Sequence, residues 1–116
     1  MEIRKSKDMR PSPYKDCHDG VGTLVCNSLL EGLGSQTLRF MHNDEIPAGV
    51  SIGEHKHTFY EEAYYLISGE GVLLYDGVEY PMEKGDISLC LVGHSHGFKA
   101  VTDCVLIVVA GQPLKQ

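Results

Sequence analysis

Residues 49–69 read GVSIGEHKHTFYEEAYYLISG, and this stretch carries the strongest structural and chemical signal in the chain. His55 and His57 are two residues apart, so on a β-strand both side chains point to the same face. The carboxylate of Glu62 and a third imidazole from a distant strand, at His96, would add a negative oxygen and another nitrogen. Three neutral nitrogens with one carboxylate oxygen suit a first-row divalent metal. The pattern therefore predicts a metal site built on strands.

The rest of the chain reads as short apolar stretches separated by glycine, proline and aspartate. Asp76-Gly77 lies between two such stretches and predicts a two-residue hairpin turn, because that turn needs positive φ angles. Apart from short helices near residues 9–14 or 28–33, we expect no helix, since no segment keeps a long 3.6-residue apolar period. About eight or nine short strands at regular spacing predict an all-β sandwich or barrel.

The spacing of the first stretch resembles the first motif of the cupin superfamily, G(X)5HXH(X)3,4E(X)6G. The match begins at Gly49, includes both histidines and ends at Gly69. Counting six residues back from Gly69 selects Glu62, and not Glu61, as the motif glutamate. Four fixed residue types at the right offsets make this motif specific, whereas an isolated HXH pair would be weak.

Residues 85–100 resemble the second cupin motif, G(X)5PXG(X)2H(X)3N, with His96 at the histidine position. Leu91 stands where the motif has proline and Ala100 where it has asparagine, departures that concern a turn and a structural hydrogen bond. The resemblance covers about residues 36–110. It implies a double-stranded β-helix, or jelly-roll, barrel and a ligand set that consists of His55, His57, Glu62 and His96.

Strand parity extends this prediction to the cavity wall. Tyr64 and Leu66 share the face of Glu62, and Phe98 shares the face of His96, so we expect all three to line the pocket. His94 is a rival to His96 as the third imidazole ligand, but the glycine spacing favours His96 and leaves His94 at the pocket mouth.

Arg39 and His42 are further pocket candidates on one predicted strand. Arg39 could hold a carboxylate substrate through two hydrogen bonds or could be paired at the surface. His42 could enter the barrel as a substrate-binding group. The two residues have opposite parity, so at most one lines the barrel unless a bulge intervenes. For His42 and for His18, a surface or hydrogen-bonded role is the simpler interpretation.

Composition limits the possible partners and the compartment. The chain has 116 residues, enough for one domain, and a formal net charge of -6, which argues against nucleic-acid and anionic-membrane partners. No segment is long and apolar enough to cross a bilayer, and the N-terminus lacks the apolar core of a signal peptide, so we expect a cytoplasmic protein. The four cysteines, which have no CXXC spacing, are expected to be free thiols: Cys17, Cys26, Cys90 and Cys104.

We divide the chain into an N-terminal arm, residues 1–20, and a barrel, residues 21–116. The arm could be swapped with, or packed on, a partner subunit, and we expect a homodimer.

Three functions fit these residues. The first is a metal-dependent enzyme of the dioxygenase, decarboxylase or isomerase type that acts on a small organic substrate through an open site holding Fe, Mn, Ni or Zn. The only plausible proton carriers are Tyr64, Tyr75 and His94. The alternative is a non-catalytic binding or sensing module whose metal anchors a small ligand. The third is a metal-free structural barrel.

Overall fold

The computed structural model describes residues 3–112, where the chain forms ten β-strands and two three-residue 3-10 helices, Ser6–Asp8 and Cys17–Asp19. This composition confirms the all-β fold class. Among residues 3–112 no helix could span a membrane. The strands are β1 (Ser12–Lys15), β2 (Thr23–Ser28), β3 (Leu38–Ile46), β4 (Ser51–Lys56), β5 (Glu61–Ser68), β6 (Glu70–Tyr75), β7 (Val78–Glu83), β8 (Ile87–Cys90), β9 (Ser95–Ala100) and β10 (Cys104–Gly111).

The strands form two antiparallel sheets. One sheet has the order β1-β2-β3-β10-β5-β8 and the other has the order β4-β9-β6-β7. Alternate residues of β5 and β10, and of the last three residues of β3, are buried, as expected for strands with one face on the core. Side chains from both sheets, among them Leu66, Phe98 and Leu106, join in a single buried apolar cluster. The candidate metal residues lie at the edge of this cluster.

The predicted hairpin at Asp76-Gly77 is confirmed. Tyr75 pairs with Val78, and the two turn residues have φ angles of 48° and 78°. These positive angles match a two-residue primed turn, whose backbone twist agrees with that of the flanking strands.

The short helices predicted from the sequence are wrong in position. Residues 12–15 form β1, which pairs with β2, because Pro11 and Pro13 lack a backbone N–H and push the residues before them toward extended geometry. Residues 29–33 form bends and a turn in which Gly32 has a φ angle of +79°, outside the helical region. The predicted strand at 36–42 is longer in the structure and continues to Ile46.

The described part of the N-terminal segment packs on its own chain. The turn at Cys17–Asp19 lies against β4, where a Cβ added to Gly53 would collide with the carbonyl oxygen of His18. A Cβ added to Gly20 would likewise collide with the carbonyl oxygen of Ser51, so glycine is required on both sides of this close approach. The docking places His18 beside the candidate site. Exchange of the arm with a partner stays a prediction.

Candidate metal centre

Three strands bring the predicted ligand residues together. His55 on β4 is directly opposite His96 on β9, and His57 follows the end of β4 with its side chain on the same side. Glu62, the second residue of β5, reaches the group from the other sheet. One ligand atom from each of the four residues lies within 4.8 Å of all the others. The chain therefore has a three-histidine, one-glutamate group that could hold a metal ion.

The shortest distances in this group join nitrogen and oxygen atoms that could all face one cation. His57 Nε2 lies 2.8 Å from His96 Nε2 and 3.4 Å from Glu62 Oε2, and His96 Nε2 lies 3.0 Å from Glu62 Oε1. These three residues are 4 % exposed or less. The fourth residue, His55, donates from Nδ1 to the carbonyl oxygen of Gly53 at 2.7 Å, which leaves its Nε2 free to act as a ligand.

Burial sets the protonation of the group. It lowers the pKa of His57 and of His96 to about 4 each, and it also lowers the pKa of His55. Burial raises the pKa of Glu62, and the nearby histidines oppose that shift. The imidazoles are therefore neutral at neutral pH and have lone pairs available for a cation.

This donor set fits a divalent first-row metal. Two neutral imidazoles whose Nε2 atoms lie 2.8 Å apart can share one N–H···N bond at most, whereas a cation would accept a lone pair from each. Four protein donors would leave one or two positions open on a five- or six-coordinate ion, which is the feature that separates reactive sites from structural ones.

Two aromatic stacks hold the histidine rings. The Tyr64 ring stacks on His96 with centroids 4.1 Å apart, and the His18 ring stacks on His55 at 3.6 Å. The Tyr64 hydroxyl is fully buried and has no hydrogen-bond partner among the described residues. These contacts restrict rotation of both imidazoles, so the nitrogen atoms are kept in position before any metal binds.

A small cavity of about 50 Å³ adjoins the metal group. Of the predicted pocket residues, Tyr64 and His42 lie in its wall, whereas Leu66 and Phe98 are fully buried in the apolar cluster behind it. Three apolar side chains, Phe40, Ile52 and Val108, line part of the cavity. The rest of its wall is formed by His18, His42, Asp44, His55, Glu62 and Tyr64.

The other two predicted pocket residues lie outside this wall. Arg39 is exposed on β3, where its guanidinium carbon lies 4.8 Å from the centre of the Tyr60 ring, and the inward face of that strand presents His42 instead. His94 is exposed just before β9, and its Nδ1 lies 2.5 Å from a carboxylate oxygen of Asp76. The structure thus places His96, and not His94, in the candidate metal group.

Sequence reasoning missed three residues near the site. His18 looked like an isolated surface histidine, and nothing local indicates that its turn docks on β4. Asp44 could have been found, because it lies two residues after His42 and shares its strand face. Cys26 was seen only as a free thiol, although it is directly opposite Asp44 in the sheet.

The chain belongs to the cupin domain family, whose family model matches residues 44–110. This match confirms the resemblance drawn from the two motifs. An oxalate-binding protein of Thermotoga maritima is 30 % identical over 99 residues, which are 84 % of this chain and 81 % of that protein.

Solved structures agree on the fold. A Thermotoga maritima protein described as a predicted oxalate decarboxylase superposes with a TM-score of 0.86 at 27 % identity, over 97 % of this chain and all of that one (100 %). KdgF from Halomonas sp. gives a TM-score of 0.79 at 12 % identity, over 99 % of this chain and 96 % of its own. An RmlC-like cupin from Shewanella frigidimarina gives a TM-score of 0.78 at 16 % identity, over 99 % of this chain and 94 % of that one. The predicted cupin barrel is therefore confirmed.

Proposed function

We propose that this protein is a metal-dependent enzyme that acts on a small organic acid of the size of oxalate. The observation that carries the proposal is the convergence of three histidines and one glutamate beside a small cavity. The names of two similar Thermotoga maritima proteins, an oxalate-binding protein and a predicted oxalate decarboxylase, support the substrate class.

The cavity volume limits the substrate. One water occupies about 10–15 Å³ of such a volume, so about 50 Å³ has room for a handful of non-hydrogen atoms. A two-carbon dicarboxylate, with six covalently bonded non-hydrogen atoms, is at the upper end of that limit, whereas a sugar or an aromatic ring would need the wall to move. The cavity wall contains neither arginine nor lysine. A carboxylate ligand would therefore depend on the cation for its charge partner.

A bound divalent metal would anchor a carboxylate and polarise it as a Lewis acid. Fe, Mn, Ni and Zn all accept this donor set of imidazoles and one carboxylate. Three residues of the chain supply the other roles at the site. Tyr64 holds the His96 ring, and Glu62 supplies the negative charge of the ligand set. His18 is exposed to solvent and also lines the cavity, so it can carry a proton between the solvent and the cavity.

The second candidate function is binding without turnover. It is favoured by the name of the oxalate-binding relative. In this case the metal anchors the ligand, and the protein acts as a carrier or sensor.

The two functions are separated by measuring binding and turnover on the same samples. Chelator-stripped protein is loaded with Mn(II), with Fe(II) under anaerobic conditions, or with Zn(II), and oxalate and related small acids are added. Calorimetry reports binding, and released CO₂, formate and consumed O₂ report turnover. We expect metal-dependent binding with turnover by the Mn or Fe form. Binding without products would favour the carrier, and failure of every metal-loaded form to bind any acid would contradict both functions.

Two variants sharpen this experiment. Glu62→Gln keeps the shape of the ligand but removes its charge, so it should lose binding and turnover together. His18→Gln leaves all four candidate ligands in place, so it should bind the acid but turn it over more slowly. Unchanged turnover in His18→Gln would contradict the proton-carrying role.

We also propose a homodimer that forms through the outer face of the six-stranded sheet. This face carries an exposed apolar group: Tyr65 (44 %), Ile67 (36 %), Ile87 (69 %) and Leu89 (52 %). Adjacent exposed apolar side chains of this kind are typical of an interface. Light scattering on the wild type and on Ile87→Lys should give a dimer and a monomer, respectively, and a monomeric wild type would contradict the proposal.

A further inference from the structure

A second group of potential metal ligands lies beside the first one and shares no residue with it. Cys26 on β2 is directly opposite Asp44 on β3, and His42 lies two residues before Asp44 on the same inward face. One ligand atom from each of the three residues lies within 4.8 Å of the other two. The group contains a thiol, an imidazole and a carboxylate. The cupin motifs include none of these positions.

The burial of Asp44 is a second, independent observation that points to a ligand. Its side chain is 4 % exposed, and its Oδ1 atom is buried without a hydrogen-bond partner among the described residues. The Cys26 thiol belongs to the residue directly opposite Asp44 in the sheet. Buried carboxylate oxygens are normally paired, so an unpartnered one calls for a cation or another donor.

Burial keeps Cys26 and His42 uncharged at neutral pH. Burial, together with the nearby Asp44 carboxylate, raises the pKa of Cys26 to about 12. Burial and the negative charge of Glu62 raise the pKa of Asp44 to about 6. Burial lowers the pKa of His42, so this imidazole is neutral and adds no positive charge. A cation that binds here must therefore displace the thiol proton of Cys26.

We propose that Cys26, His42 and Asp44 bind a second divalent cation of the zinc type. Sulfur, nitrogen and oxygen donors together match zinc, and three protein ligands leave a fourth position for water or a ligand. Donors around a tetrahedral ion lie about 3.5 Å apart, so small side-chain rotations bring these atoms into range. Binding releases the thiol proton to solvent and forms the metal–sulfur bond. This site stands apart from the proposed function.

The second site faces the same cavity as the first. His42 and Asp44 line this cavity together with His55 and Glu62.

The experiment uses Co(II) as the probe, because only the second group contains sulfur. Stripped protein is titrated with Co(II) under anaerobic conditions, with bound metal counted by elemental analysis and absorbance recorded in the near ultraviolet. We expect two equivalents of metal and an intense thiolate-to-cobalt charge-transfer band. Cys26→Ser should lose the band and one equivalent. The matched control is Cys104→Ser, which replaces another buried thiol, one that donates to backbone carbonyl oxygens. This variant should keep the charge-transfer band and both metal equivalents.

Further variants separate this proposal from the first metal site. His57→Ala should lose one equivalent but keep the charge-transfer band, whereas Asp44→Asn should weaken Co(II) binding to the second site at least tenfold. If Cys26→Ser does not fold, the Asp44→Asn variant still tests whether the second site binds Co(II). Absence of the band in the wild type, a band that survives in Cys26→Ser, or its loss in His57→Ala would overturn the second site.

Discussion

His96→Ala and His94→Ala form the sharpest test of the candidate metal centre. The two histidines are two residues apart in the sequence but differ in burial and in the residues that they contact. The His96 side chain is fully buried, and its Nε2 lies 2.8 Å from His57 Nε2 and 3.0 Å from Glu62 Oε1. The His94 side chain is 46 % exposed and contacts Asp76. Only the His96 substitution should remove metal binding at this centre.

The magnitude follows from linkage between binding and folding. A ligand that binds only the folded state at 100 times its dissociation constant adds about 2.7 kcal/mol to the free energy of unfolding. For a domain of this size, 1 kcal/mol shifts the midpoint of thermal unfolding by about 4 °C. Saturating metal should therefore raise the midpoint of the wild type by about 10 °C. His94→Ala should show the same rise, and His96→Ala should show almost none.

The assay is thermal unfolding of each protein with chelator and with added Mn(II), which suits imidazole and carboxylate donors and not the thiol-containing group of Cys26, His42 and Asp44. The metal-induced shift is compared within each variant, so that the lost packing of His96 on Tyr64 cancels. Glu62→Gln, which keeps the side-chain shape, provides a second ligand variant if His96→Ala unfolds. A full shift in His96→Ala together with none in His94→Ala would refute our assignment of the ligands.

Three further predictions concern the metal-free protein, with the free energy of unfolding measured by urea denaturation. Tyr64→Phe should be more stable than the wild type by about 1–2 kcal/mol, since it removes a buried hydroxyl without a partner, and a loss of stability would show that this hydroxyl is paired. Asp44→Asn should be more stable than the wild type at pH 7 by at most about 3 kcal/mol. Burial raises the Asp44 pKa from 3.8 to about 6, so the stability that protonated Asp44 provides at low pH is lost as pH rises through 6. The advantage should shrink as pH falls from 6 toward 3.8, and an advantage independent of pH would contradict this cause. Gly71→Ala should be less stable by about 1–3 kcal/mol or more, because its Cβ would collide with the Phe98 ring and lie 2.7 Å from the Lys99 carbonyl oxygen, and unchanged stability would show that the two strands can separate.

Local chemistry explains why the sequence alone predicted much of this protein. The hairpin at Asp76-Gly77 depends on two residues that adopt positive φ angles, and that preference acts within a four-residue segment. The choice of Glu62 and His96 followed from spacing to glycines whose turns limit the possible register. Strand parity likewise placed Tyr64 and Glu62 on one face, as the burial of β5 shows.

Tertiary structure alone decided the features that depend on contacts between distant segments. Parity required that Arg39 and His42 take opposite faces, but only the pairing of β3 with β2 and β10 selected His42 for the interior. His18 reaches His55 because the turn at 17–19 docks on β4, and Cys26 meets Asp44 through a register set by two strands. Side-chain alternation is a property of one strand, whereas the face that turns inward is set by what the whole sheet buries.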